Sequence, residues 1–178
     1  VQPYESGVFI THEGAFSGGT GTVSFYNRTV GGIKNDIFGT ENSGAAIGNI
    51  LQSITVANGK AYLLVNNANK IIVTDAATFK YQDSIVGTIL PRYLLNIDDK
   101  TAFVSEWGSN GVLGAIKVLD LTTKKFTKTI PTGKGTERML KVGNTVWTVN
   151  GGGFDKDSTV AVVDIATAAV LSKINIGI

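Results

Sequence analysis

The sequence predicts an all-β fold: a β-propeller segment of four blades, each a four-stranded antiparallel sheet, with the first blade lacking its innermost strand. Three observations predict it. A small apolar residue followed by an aromatic recurs as Val8-Phe9, Ala61-Tyr62, Ala102-Phe103 and Val146-Trp147. An Asp or Asn closes a strand-like run in each copy, at Asn27, Asp75, Asp120 and Asp164. Ten positions beyond each of these stands an isoleucine: Ile37, Ile85, Ile130 and Ile174. Successive aromatics are 53, 41 and 44 residues apart, and a unit of roughly 40–45 residues with four short strands is the blade period.

Each element has a local cause. The runs Val23–Tyr26, Ile71–Thr74, Ile116–Leu119 and Val160–Val163 are rich in β-branched and aromatic residues, which fit a pleated, half-buried surface. The Asp or Asn that follows can accept hydrogen bonds from backbone N–H groups two residues on, which starts a tight turn. Asn58-Gly59 is a two-residue hairpin signal, because both positions tolerate positive φ; Asp98-Asp99 and Gly143-Asn144 occupy the matching place in the next copies. In the second copy the strands are expected near 53–56, 61–65, 70–74 and 81–85, and the blades near 1–50, 51–90, 91–135 and 136–178. Only about seven residues precede Val8, and they are not strand-like, so the first copy is expected to supply three strands. The chain starts at Val1 without a methionine and stops at Ile178 just after the last strand of the fourth copy. It therefore reads as a processed or trimmed part of a larger ring, open at both ends, whose exposed apolar faces invite self-association.

Composition narrows the function. The chain has 178 residues, with 22 glycines and 3 prolines. Its net charge of +2 argues for no nucleic-acid or anionic-membrane partner. There is no cysteine and His12 is the only histidine, so neither a disulfide frame nor a zinc centre is expected, nor any cofactor. No apolar stretch reaches the roughly 18 residues of a membrane span. His12-Glu13 could serve acid–base chemistry, but neighbours on an extended strand point to opposite faces. Asp155-Lys156-Asp157 has a spacing calcium uses, though the rest of a binding loop is missing.

Ligand-binding candidates come from the loops between the second and third strands, which vary in length and set aromatics beside glycine and asparagine. They contribute Phe16, Asn66, Asn67, Glu106, Trp107, Asn110 and Phe154. The connections that enter each blade add Gln52, Arg92 and Arg138 at the start of the innermost strands. Aromatic surfaces with interspersed hydrogen-bonding groups suit a small-molecule site. Trp107, in a polar glycine-rich loop, is the foremost candidate.

Gly59-Lys60-Ala61-Tyr62-Leu63-Leu64-Val65-Asn66-Asn67 and Thr159-Val160-Ala161-Val162-Val163-Asp164-Ile165-Ala166-Thr167 resemble YVTN-type β-propellers, which usually have about seven blades. The opening Ser6-Gly7-Val8-Phe9-Ile10-Thr11-His12-Glu13-Gly14-Ala15-Phe16, with Gly21–Asn27, Leu51-Gln52-Ser53, Asn66–Lys70 and Ser105–Gly111, is similar to surface-layer-type propeller lipoproteins of Gram-negative anaerobes. Some of these, the BtuG-type proteins, capture cobalamin. The resemblance implies a non-enzymatic binding protein at the outer face of the outer membrane or in the periplasm. It would be held by a lipid anchor absent from this chain, and would pass cobalamin or another corrinoid to an outer-membrane transporter. A protein- or glycan-binding scaffold and a propeller lactonase or lyase are the alternatives.

Overall fold

The computed structural model describes residues 2–177; the readings attached to Val1 and Ile178 lie outside them. Two compact units divide the chain after Val86. In the first, strands β1 (Gly7–His12), β2 (Thr22–Asn27) and β3 (Ile33–Lys34) form a three-stranded sheet, followed by helix α1 (Ile37–Glu41). Strands β4 (Leu51–Ala57), β5 (Lys60–Val65), β6 (Lys70–Asp75) and β7 (Tyr81–Val86) form a four-stranded meander. The second unit holds two more four-stranded meanders. One contains β8 (Pro91–Asn96), β9 (Thr101–Glu106), β10 (Gly114–Asp120) and β11 (Lys125–Gly133); the other contains β12 (Thr136–Val142), β13 (Thr145–Asn150), β14 (Thr159–Asp164) and β15 (Ala169–Asn175). All sequential pairs are antiparallel. Four blades, the first with three strands, are the fold class the repeat predicts.

The turn marks act as their chemistry requires. Asp75 Oδ1 accepts from the N–H groups of Ala77 and Thr78 and from the Thr78 hydroxyl. Asp120 and Asp164 repeat this with Thr122, Thr123 and Thr167, and Asn27 does so with Thr29 and Val30. The fourth residue after each Asp then turns left-handed: Phe79, Lys124 and Ala168 all have φ near +50 to +58. Asn58 and Gly59 both take positive φ, as a two-residue hairpin demands.

These hydrogen bonds hold the carboxyls of Asp75, Asp120 and Asp164 below their ordinary value of 3.8, the Thr78, Thr123 and Thr167 donors being the main causes. A depressed carboxylate pKa stabilises the fold above the unfolded-state value, and that contribution is lost as pH falls through the folded value. Stability should therefore drop below about pH 4. Asn at all three positions still offers an oxygen to the turn but has no proton to gain. Urea midpoints of D75N/D120N/D164N should vary less between pH 5 and pH 3 than those of the parent; equal slopes would remove the turns from the acid response.

One expectation needs correcting. Ile85, Ile130 and Ile174 lie in the last strands of their blades, but Ile37 does not. It opens α1, where the Asp36 carboxylate accepts the Gly39 N–H. The short strand β3 stops at Lys34 and the chain turns into a helix that buries Ile37 and Phe38. They join Tyr4, Phe9, Phe25, Ile47, Leu51, Leu63 and Phe79 in the core of the first unit. The helix thus delivers the apolar surface that a full fourth strand would have supplied. Tyr4 is tied in by its hydroxyl, which donates to Glu41; burial together with that carboxylate pushes its pKa up to about 12.

The core of the second unit runs between its two sheets: Ile97, Phe103, Ile116 and Ile130 pack with Val146 and Val163. On one face of the last sheet Leu140 pairs with Trp147, Val149 with Val160, and Val160 with Ile174. Of these, Leu140, Trp147, Val149 and Ile174 are exposed.

Candidate functional site

One backbone device, used three times, builds the loop surface. The residue just before the first strand of a blade is left-handed in each case: Ile50, Leu90 and Gly135 have φ of 60, 53 and 56. This swings its carbonyl onto the first residue of the loop after the second strand. Asn66 N–H donates to Ile50, Trp107 N–H to Leu90 and Gly151 N–H to Gly135, at 2.8–3.1 Å. In the second unit a further bond follows each, from Gly108 to Ile89 and from Gly152 to Lys134. The connection that enters each of these blades is therefore stitched to the loop after its second strand.

The same register corrects the alignment of the polar residues. Leu51 pairs with Val65, Pro91 with Glu106 and Thr136 with Asn150. The residue in the place of Gln52 and Arg92 is consequently Glu137, not Arg138. A bulge follows the first residue of all three strands, after Leu51, Pro91 and Thr136, so the three positions stay aligned through it.

That register assembles the main cluster of the second unit. The Arg92 guanidinium lies 4.2 Å from the centre of the Trp107 ring. Its Nε donates to Glu137 Oε2 at 3.3 Å, and Nη2 stands 3.2 Å from Oε1. The Trp107 indole N–H donates to the same Glu137 carboxylate at 2.8 Å. Phe154 meets Trp107 edge-on, with ring centres 5.3 Å apart. Trp107 is thus half-buried, covered by Arg92 and fully hydrogen-bonded at its only polar atom. It supports the surface more than it presents one, and Arg92 ties the first strands of two adjacent blades together.

Phe154 is what this support presents. It is 72% exposed, yet it is not loose: its N–H donates to the Gly111 carbonyl, and Gly111 carries no side chain where the Phe154 ring lies. Arg138, next to Glu137 in sequence, is exposed with its guanidinium 4.4 Å from the centre of the Tyr93 ring. Asn110 is exposed at the tip of the Ser109–Gly111 turn, with φ of 59. Glu106 belongs elsewhere: it pairs with Ala115 across the sheet and is buried against the N–H of Ile89. Glu137 and Tyr93 escaped sequence reasoning, since neither lies in a loop of unusual composition.

The remaining candidates are in the first unit. Phe16 is exposed, its carbonyl accepting from the Asn49 side chain. Asn66 is buried and its carbonyl accepts from Asn69 N–H; Asn67 is exposed and Gln52 half-buried on β4. His12 Nε2 is 2.9 Å from Ser24 Oγ, and Ser24 Oγ donates to Asn35 Oδ1. With its proton committed to Asn35, the serine accepts from His12, the reverse of what a general base requires. Ser24 is also buried. Asp155 pairs with Lys134, and Asp157 accepts from Lys134 N–H and from Thr159. Both carboxylates thus serve the loop, and among the described residues no three His, Cys, Asp or Glu side chains gather as metal ligands.

The fold is similar to Kuenenia stuttgartiensis hydrazine synthase, with a TM-score of 0.72 and 18% identity over 97% of this chain and 46% of that one. A quinonprotein alcohol dehydrogenase-like protein from Bacteroides thetaiotaomicron gives 0.69 and 17%, over 98% and 41%. The WD40 β-propeller domain of Doa1 gives 0.65 and 13%, over 87% and 47%. At these identities the likeness shows a β-propeller scaffold and nothing finer. The chain spans less than half the length of each. No curated protein matches it in sequence. One family model matches, over residues 6–178.

Proposed function

Because the chain belongs to the family described as a domain of unknown function, DUF5074, we propose from its own geometry that it is a non-enzymatic ligand-binding module. The observation that carries this is Phe154: a large apolar ring held out to solvent on a backbone-anchored loop and braced from behind by Trp107, Arg92 and Glu137. Exposing such a ring costs apolar free energy that a ligand recovers. Arg138 and Asn110 offer N–H donors to a ligand's oxygens.

The ligand we infer is a broad amphiphile with an apolar face and peripheral amide or phosphate oxygens, most specifically cobalamin or a related corrinoid. The similarity of the Ser6–Phe16 and Ser105–Gly111 segments to cobalamin-capturing surface lipoproteins favours this choice, and with it capture at the cell surface for delivery to an outer-membrane transporter. The reversed His12–Ser24–Asn35 chain favours binding over hydrolysis.

Cyanocobalamin absorbs in the visible, so co-elution with the chain on gel filtration reads binding directly. Stoichiometric co-elution is expected, weakened at least ~10-fold by F154A, as loss of one stacked aromatic implies, and less by R138A. A well-folded chain that elutes colourless would overturn the corrinoid assignment. Binding unaffected by F154A would move the site off this loop.

A further inference from the structure

A recess in the second unit is formed by residues of β9, β10 and β11 and by Gly108 and Ser109, which follow Trp107 in the chain. It has a volume of about 410 Å³ and is walled by Ile89, Leu113, Ala115 and Pro131, with Glu106 inside it and Lys173 also lining it. The registers explain its shape: Glu106 pairs with Ala115, and Ala115 with Pro131, so the three share one face of the sheet.

Glu106 is 5% exposed. Its Oε2 accepts the Ile89 N–H at 2.8 Å. A carboxylate has room for about four hydrogen bonds, and the Ile89 N–H fills one of them. Lys117, whose charge acts on Glu106, has its Nζ engaged elsewhere: it donates to the Gly87 carbonyl and sits 5.0 Å from the centre of the Phe126 ring. Burying an ionised carboxylate without an ion pair is unfavourable. An isosteric apolar residue would fill the recess at lower cost, so the retained charge requires a use.

We propose that this recess binds a small organic amine, its ammonium against the Glu106 carboxylate and its hydrocarbon body along Ile89, Leu113, Ala115 and Pro131. The volume admits a short alkyl or cyclic amine. Lys173 lines the same recess and disfavours a second positive charge on the ligand, which makes monoamines fit better than diamines. This site is independent of the ligand carried by Phe154.

The protonation chemistry agrees with the placement. Burial pushes the Glu106 carboxyl above its ordinary range, with the Ile89 N–H and the Lys117 charge opposing. A bound ammonium favours the ionised form and draws protons off Glu106. Amine affinity should therefore rise with pH through the Glu106 titration, while Lys117 and Lys173 stay charged.

The test uses the whole ¹⁵N-labelled chain and three matched probes: n-hexylamine, 1-hexanol and hexanoate. The Ile89 amide, bonded to Glu106, is the reporter. Saturable shifts with n-hexylamine, at least ~10-fold weaker with 1-hexanol and absent with hexanoate, are expected for a charge-paired site. E106Q keeps an acceptor for Ile89 and so keeps the fold; it should bind the amine at least ~10-fold more weakly and without pH dependence. An unperturbed Ile89 amide with the amine, or equal binding by the parent and E106Q, overturns the proposal.

Discussion

Truncating Phe103 to alanine is expected to destabilise the second unit by about 3–5 kcal/mol, the range for deleting a fully buried phenylalanine. Its ring is 1% exposed and packs with Ile97, Ile116 and Ile130 of its own sheet and with Val146 and Val163 of the next. The lost contacts therefore belong to both blades, and the cavity opens between two sheets that cannot both collapse into it. Set against a typical total of 5–15 kcal/mol, this brings the unit close to unfolding. Trp147 is the control, because it occupies the same repeat position in the last blade but is 39% exposed. Trp147→Ala should cost far less, within about 1 kcal/mol. Urea melts followed by tryptophan fluorescence separate the two; similar midpoints for F103A and W147A would mean that the core between the sheets does not carry the unit.

Placing a methyl group at Gly153 should have the next largest effect. A Cβ built there would stand 1.8 Å from the Gly111 carbonyl oxygen, a backbone atom, and the residue has φ of +63. The left-handed conformation alone costs an L-residue about 1–2 kcal/mol, and the clash adds to it by forcing the two loops apart. The bond from Phe154 N–H to Gly111 must then break, releasing the Phe154 ring from Trp107. The expected result for Gly153→Ala is a loss of at least ~2 kcal/mol of stability, together with weakening of whatever Phe154 binds. Gly143→Ala provides a contrast: it has a similar φ of +56 and nothing within 4 Å. It should show the conformational cost without loss of binding. Equal binding by all three proteins would detach the loop junction from function.

The two halves of the candidate site were legible to different degrees. Loops of unusual composition drew attention to Trp107, Asn110 and Phe154, because glycine and asparagine beside aromatics depart from strand chemistry. Which aromatic faces outward was not legible. Trp107 is the larger and rarer residue, yet Glu137 and Arg92 occupy it, and both partners lie more than ten residues away in the chain. Phe154 is the presented ring because Gly111, on a different loop, leaves space for it.

What the sequence determined by itself was the set of features whose forces act within a few residues. Aspartate two and three residues ahead of the N–H groups it binds, Asn58-Gly59 in a positive-φ pair, and β-branched runs broken at a constant interval specify strands, turns and the count of four blades. Tertiary structure decided what depends on partners far away in sequence. The slot left by the short β3 is filled by Ile37 and Phe38 on a helix rather than a strand, because the core of the first unit needs their volume and local propensity does not record that need. Strand pairing places Glu137 where Arg138 was expected, since a one-residue difference in alignment changes which side chain faces a neighbouring blade while leaving the apolar pattern nearly intact. Glu106 likewise reads as one more loop-edge polar residue until the sheet buries it beside Ile89. Its burial and its recess exist only once three strands are side by side.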